Sequence, residues 1–285
     1  MAVWNLGSIN ADLVFRVPHL PVPGETLAAT GFSRGLGGKG ANMSVALARA
    51  GSQAHHIGAV GEDGLWMKER LAEYGVSVAH LAELPGPSGQ AVIELDAKGE
   101  NRIVILGGAN RMLDESAFAQ VLAQAGPQDW AVFTNETNGI EAFARAAKAQ
   151  GLKLAHAAAP FDAQAVAPLL PLLDLLVVNK VEAEQLAEAT GQPPEALPVA
   201  DVVITLGGDG ARWIHTATGE AQDFAAPKVT PVDTTGAGDT FTGYLVAGLA
   251  QGMPLPEAIT LAQKAGALMV TRLGTADVIP RRDEL

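Results

Sequence analysis

Short apolar runs alternate with amphipathic stretches along most of this chain, and the period changes from strand-like to helix-like in a regular order. Val3 to Gly7 reads as a strand running into a turn. Ala41 to Ala50 is Ala-rich and stops at Gly51, which predicts a helix with a glycine stop. Gln53 to Val60 returns to strand character, and Leu65 to Tyr74 predicts a second helix closed by Gly75. Ala91–Leu95 and Arg102–Leu106 flank a polar, glycine-containing turn and predict a hairpin. Beyond it, strands are expected at Trp130–Phe133, Lys153–Ala157, Leu175–Val178 and Val202–Leu206. They are short, continuous and apolar, as strands covered on both faces must be. Helices are expected between and after them, at Ile140–Gln150, Ala163–Leu170, Val181–Ala189, Asp239–Ala250 and Glu257–Thr271.

Alternating strands and helices imply an α/β fold of three layers, a mostly parallel sheet with helices on both faces. The N-terminal third departs from that alternation. Leu13–Val17, Leu27–Phe32 and the hairpin add strands that predict a small β-sheet lid, drawn from about 12–34 and 91–106, on a single domain spanning 1–285. No internal repeat or long polar linker divides the chain.

Composition narrows the function. The 285 residues are 48% apolar and 18% charged, which excludes disorder. With 31 acidic against 19 basic residues the formal charge is −12, so a general nucleic-acid binder is not expected. There is no cysteine, hence no disulfide, thiolate metal site or thiol nucleophile. No apolar stretch approaches a membrane span, and no basic segment precedes an apolar one at the start, so a cytoplasmic protein is expected. The final Arg282-Asp283-Glu284-Leu285 resembles an address tail, which has no meaning without a leader. The six histidines suggest no metal cluster, and His55-His56 reads as a strand-edge pair.

Two glycine clusters carry the candidate chemistry. The first, Gly35-Leu36-Gly37-Gly38-Lys39-Gly40-Ala41-Asn42, opens a helix. Its glycines permit close approach of a ligand to the backbone, and the helix start offers free N–H groups. Lys39 and Asn42 add a cation and an amide able to hold hydroxyls. Gly35, Gly37 and Gly40 also satisfy the dinucleotide fingerprint, with Glu62 or Asp63 as the acidic partner, although about 30 residues of extra structure precede it. The phosphate-binding P-loop pattern fails, because Gly40 follows Lys39 where Ser or Thr is required. In the second cluster, Asp233-Thr234-Thr235-Gly236-Ala237-Gly238-Asp239, glycines lead into a helix with a carboxylate in its first turn. The N–H groups of Gly236, Ala237 and Gly238 suit a phosphoryl group in flight, and Asp239 suits removal of a proton from an attacking hydroxyl. The bland alternative is a carboxylate that only stabilises a helix dipole.

Taken in order, these segments resemble the PfkB family of carbohydrate kinases, and within it the ribokinases. The resemblance rests on Gly7-Ser8-Ile9-Asn10-Ala11-Asp12, Pro23-Gly24-Glu25-Thr26, Gly37-Gly38-Lys39-Gly40-Ala41-Asn42, Gly108-Ala109-Asn110, Asn179-Lys180-Val181-Glu182, Thr205-Leu206-Gly207-Gly208-Asp209-Gly210 and the second cluster. It implies a ribokinase-like fold and transfer of the ATP γ-phosphoryl group to a sugar hydroxyl, D-ribose to ribose 5-phosphate being the first expectation. Another pentose, a ketohexose derivative or a nucleoside is the alternative within the family. A dinucleotide-binding oxidoreductase or a catalytically silent sugar-binding protein is the alternative outside it. The sugar would be held by Asn10, Asp12, Gly38, Lys39, Asn42 and Glu136, the nucleotide by Asn179, Thr205, Gly207 and Gly210, and hydrated Mg²⁺ by Glu182 through water. Asp239 would be the base, beside an anion hole of Gly236, Ala237 and Gly238. The resemblance further implies a K⁺ site at Asp233, Thr235, Met269, Arg272 and Gly274, and a homodimer formed lid to lid. Four positions depart from the ribokinase pattern. His156-Ala157-Ala158-Ala159-Pro160 replaces an Asn-Pro-Ala-Pro-like segment, Lys180 replaces an acidic residue, and Val278 replaces a hydroxyl ligand of K⁺. The chain also ends soon after Pro280, so a final helix is expected to be short or missing.

Overall fold

The computed structural model describes residues 1–285. Strand β1 (Ala2–Leu6) is buried along its whole length, with Val3 in one core and Trp4 and Leu6 in the other. That division follows from the two-residue period of a strand. Next come β2 (Asn10–Arg16), β3 (Gly31–Gly37), α1 (Lys39–Arg49), β4 (Gln53–Val60), α2 (Leu65–Glu73), β5 (Ser77–Glu83), β6 (Gly89–Leu95) and β7 (Asn101–Leu106). The second half carries α3 (Phe118–Leu122), β8 (Trp130–Phe133), α4 (Ile140–Ala149), β9 (Lys153–Ala157), α5 (Ala163–Val166), β10 (Leu175–Asn179), α6 (Lys180–Thr190) and β11 (Asp201–Thr205). It closes with β12 (Ala211–His215), β13 (Glu220–Phe224), α7 (Ala237–Ala250) and α8 (Leu255–Met269).

The large sheet has nine strands in the order β13-β12-β11-β10-β9-β8-β1-β4-β5. It is parallel from β11 to β5, and β12 and β13 are antiparallel at one edge. One core packs α1, α2, α7 and α8 on one face, and the other packs α3, α4, α5 and α6 on the opposite face. A separate four-stranded sheet, β3-β2-β6-β7, forms the lid. The three-layer α/β fold with a small second sheet is therefore as the sequence predicts.

Several elements differ. The lid strand expected at 27–32 lies at Gly31–Gly37, because pairing with β2 from Phe15↔Phe32 to Asn10↔Gly37 draws the glycine-rich segment into the sheet. The helix expected at Ala163–Leu170 keeps one α turn and continues as a 3₁₀ segment, Ala167–Leu172. Pro168 lacks the N–H of a regular ladder, and Pro171 inside that segment removes another. Strands β5, β12 and β13 carry no strong apolar signal, since each is largely or partly exposed. The His55-His56 pair is not at a sheet edge: β4 lies between β1 and β5. His55 stacks on Trp4 with ring centroids 4.2 Å apart, and His56 is fully buried. After α8 only short 3₁₀ turns follow, at Ala276–Val278 and Arg282–Glu284. No helix is long and apolar enough to cross a membrane.

Candidate active site

Parallel strands bring their C-terminal ends to one edge of the sheet, and the chain order reverses between β1 and β8. Such a reversal opens a crevice, the place where open α/β sheets bind ligands. Two glycines make the crevice tight. A Cβ on Gly40 would lie 2.3 Å from the Gly7 Cα, so the start of α1 packs directly on the end of β1. A buried network fixes that contact. Asn5 Nδ2 donates to Gly40 O and to Ser44 Oγ, both at 2.8 Å, while His56 hydrogen-bonds Ser44 Oγ and donates to Gly7 O at 3.1 Å. Burial pushes the His56 imidazole down to about 4, so it stays neutral in this role.

An acidic pocket lies above the crevice. Asp12 projects from β2 across Gly37, where any side chain would collide with its carboxylate at 2.1 Å. Asn10 is nearly buried, and its Oδ1 accepts from Asn110 Nδ2 at 2.8 Å. Glu136, in the loop after β8, crosses the switch point. It accepts from the Ser8 hydroxyl, and from Lys39 N–H at 3.1 Å at the start of α1. Asn42 Nδ2 donates to Asp239 Oδ2 at 2.9 Å, tying α1 to α7. Burial raises Asp239 above the usual carboxylate range, an effect opposed by Lys39 and Asn42 and increased by Glu136. Burial, then Glu136 and Asp239, push Asp12 up to about 7. Lys39 is raised, chiefly by Asp239 and further by Glu136 and Glu182. One ammonium thus interacts with three carboxylates, Asp239 on α7, Glu136 after β8 and Glu182 on α6.

Beside this pocket a cleft of about 310 Å³ opens between β11 and the α7–α8 pair. It is lined by Thr205, Gly207 and Gly210 on one side and by Ala237 and Gly238 on the other. Gly236 has φ 76° and caps α7, turning the chain so that the first turn faces the cleft. The Ala237 N–H donates to Thr234 O at 3.2 Å, whereas those of Gly236 and Gly238 have no backbone partner. Of the three N–H groups expected to form an anion hole, those of Gly236 and Gly238 are thus the two without a backbone acceptor. Asn179 does not line the cleft but an adjoining groove that shares Thr205 and Gly207 with it. Asn179 and Glu182 form a reciprocal cap at the start of α6, at 2.8 and 2.9 Å. Burial still raises Glu182, against the Asn179 hydrogen bond and Lys39.

The two loops expected to hold a monovalent cation meet. Asp233 accepts from Thr235 N–H at 2.9 Å and from Gly274 N–H at 3.3 Å. Met269 O accepts from Arg272 N–H at 3.0 Å. The Arg272 side chain turns away to Val278 O and Glu284, so only its main chain faces this region.

The dinucleotide fingerprint is not one. Gly35 and Gly37 belong to lid strand β3, and Gly37 makes room for Asp12. Asp63 caps the segment before β6 through Ser88 N–H and Gln90. Sequence reasoning missed several residues. Ser8 and Asn110 sit inside quoted motifs, but their roles depend on contacts 128 and 100 residues away in sequence. Pro227, Val229, Gln263 and Gly266 line the cleft without any motif, and Lys228 donates across its mouth to Gly208 O.

An acidic pocket next to a glycine-lined cleft at a helix start is an arrangement that suits a phosphotransferase with an alcohol acceptor. Residues 3–282 match the pfkB family of carbohydrate kinases, and the chain belongs to that family. It is 36% identical to a ribokinase from Haemophilus influenzae, over 98% of this chain and 95% of that protein. A crystal structure of ribokinase from Thermotoga maritima superposes with a TM-score of 0.89 at 30% identity, covering 100% of this chain and 97% of that one. The structure of Arabidopsis thaliana ribokinase complexed with ribose and ATP superposes with a TM-score of 0.84 at 28% identity, covering 99% and 97%.

Proposed function

We propose that this kinase, acting as one domain over residues 1–285, transfers the ATP γ-phosphoryl group to D-ribose, giving ribose 5-phosphate. The observation that carries this reading is the grouping of Asp12, Glu136 and Asp239 within electrostatic reach of one another, with a cleft of about 310 Å³ opening at Gly238 beside Asp239. Ionised carboxylates accept hydrogen bonds only, which suits a polyol rich in O–H donors. Asp12 takes a vicinal diol, Asn10 and Asn42 add amide contacts, and Glu136 and Lys39 close the other side against the Gly38 turn. Asp239 removes the proton from the attacking hydroxyl, and the N–H groups of Gly236 and Gly238 receive the charge spreading over the phosphoryl oxygens. The nucleotide lies along Thr205, Gly207 and Gly210. Glu182, a half-buried carboxylate whose second oxygen is free of the helix cap, fits a hydrated Mg²⁺ held through water, with Asn179 beside it. That ion, when bound, offsets phosphate charge. ADP release measured over a panel of pentoses, ketohexoses and nucleosides tests the assignment. Ribose should give the highest kcat/KM, and a nucleoside or another sugar in first place would reassign the acceptor.

The segments 233–235 and 269–274 meet at the Asp233 carboxylate, and their main-chain carbonyls beside that carboxylate would be a donor set that fits K⁺. The cation would hold the turn that carries Gly236 and Gly238. Adding K⁺ to a buffer free of Na⁺ and K⁺ should raise the rate, more than Na⁺ or Li⁺ does. With Val278 in place of a hydroxyl ligand the response should be modest. A flat response removes the cation site and leaves the kinase reading intact.

We further propose a homodimer through the lid, supported by β7, a sheet-edge strand on which Ile103 is 50%, Val104 65% and Ile105 63% exposed. An apolar edge strand of this kind is a ready surface for a second copy. Val104→Lys with Ile105→Lys should convert a dimer to a monomer in sedimentation velocity. A wild-type monomer at micromolar concentration would refute it.

A further inference from the structure

His156 lies one step behind the acceptor pocket, on β9, and no role assigned so far uses it. It pairs in register with Phe133 and stacks on that ring at 4.3 Å and 17°. It is fully buried. Its Nε2 lies 2.8 Å from Asn135 Oδ1. Asn135 immediately precedes Glu136, and its side chain, 8% exposed, points into the protein. Asn135 Nδ2 donates to Pro160 O at 2.9 Å, and its own N–H donates to Ala159 O at 3.1 Å.

The chemistry of the partners fixes the protons. Pro160 O is only an acceptor, so the Asn135 amide must present its nitrogen there and its oxygen to His156. The His156 proton therefore sits on Nε2, and Nδ1 is left as a buried acceptor without a partner. Thr134 Oγ1 and Thr137 Oγ1, on either side, are buried and unpartnered as well. Within the loop 134–137, His156 is thus the one side chain that donates to Asn135, whose own amide is anchored at Pro160 O, while the two flanking threonine hydroxyls add nothing. Burial pushes the imidazole down to about 3, so the donor stays neutral and does not switch with pH in the physiological range.

We propose that His156 is a positioning residue for the acceptor: its Nε2–H holds Asn135, and through that peptide sets where Glu136 meets the sugar. The inference rests on the acceptor pocket described above, not on ribose being its occupant. It is tested with whichever acceptor the wild-type enzyme turns over best, so a failure of the ribose assignment stays separate from a failure here. His156→Leu keeps the volume, removes the donor and leaves Asn135 Oδ1 unpaired. The KM for the acceptor should rise about tenfold, with the KM for ATP within about twofold. His156→Gln, whose amide nitrogen reaches the place of Nε2, should recover most of that loss. An unchanged acceptor KM in His156→Leu, or equal losses for both substrates in both variants, would overturn the proposal. If His156→Leu does not fold, the wild-type imidazole Nε2–H resonance decides. It should shift on saturation with the acceptor alone, and a resonance that does not move overturns the proposal.

Discussion

Asp239→Asn should lower kcat by about 100-fold or more while leaving the KM for ATP within about twofold. The substitution keeps the shape and the hydrogen bond from Asn42, since the Asn oxygen can accept where Asp239 Oδ2 accepts now at 2.9 Å. What it removes is the site able to take a proton. The present surroundings suit a base. Burial raises Asp239 above the ordinary carboxylate range, which strengthens it as a proton acceptor, and Lys39 and Asn42 oppose that rise. The structural alternative, a carboxylate that only stabilises the α7 dipole, predicts something else. A dipole contact contributes about 0.3–2 kcal/mol to stability, the upper end where the group is partly buried, so the alternative predicts a changed Tm and near-normal turnover. Single-turnover rates at saturating ATP and sugar separate the two. Turnover within about threefold of wild type would reject Asp239 as the base.

Much of the architecture was legible because it is written locally. Continuous apolar runs such as Leu175–Val178 can be satisfied only by burial on both faces, and the helix stops at Gly51 and Gly75 need no tertiary knowledge. The first glycine cluster was legible as a place of close approach, but not what approaches: Gly37 makes room for Asp12 and Gly40 for Gly7, residues distant in the chain. What the sequence hid depends on partners distant in the chain. Strand β13 reads Glu-Ala-Gln-Asp-Phe and has no apolar period of its own; its ladder with β12 makes it a strand. Ala237 looked like a free donor, but the turn it makes with Thr234 is decided by the αL residue Gly236. Asn179 and Glu182 read as nucleotide and metal contacts, yet their spacing is also that of a capping box, and one pattern can serve both. His156 stood out only as a departure, and its partner Asn135 carried no signal until β8 and β9 were side by side.

Asp12→Ala should raise the KM for the acceptor about ten- to a hundredfold, from loss of a hydroxyl–carboxylate interaction of about 1.5–3 kcal/mol. The nucleotide KM should be unaffected, because the cleft proposed for ATP shares no residue with β2. The same residue predicts a pH dependence. With Asp12 pushed up to about 7 by burial, then Glu136 and Asp239, the acid form dominates at pH 6 and the carboxylate at pH 8. A vicinal diol offers donors, so it binds the carboxylate better. The acceptor KM should therefore fall as pH rises from 6 to 8, and binding near pH 6 should release a proton, visible as buffer-dependent heat in titration calorimetry. Asp12→Asn, which cannot ionise, should flatten both effects. Stability runs the other way. A folded-state value raised above the unfolded 3.8 means that the folded chain prefers the protonated form, so this group's contribution declines as pH rises from about 4 through 7. Removing it should raise the Tm of the sugar-free protein at pH 8, while sugar raises the wild-type Tm more than that of Asp12→Ala. An Asp12→Ala enzyme with an unchanged acceptor KM would place the sugar outside this pocket. A wild-type KM that stays level between pH 6 and 8 would show Asp12 already ionised when the sugar arrives.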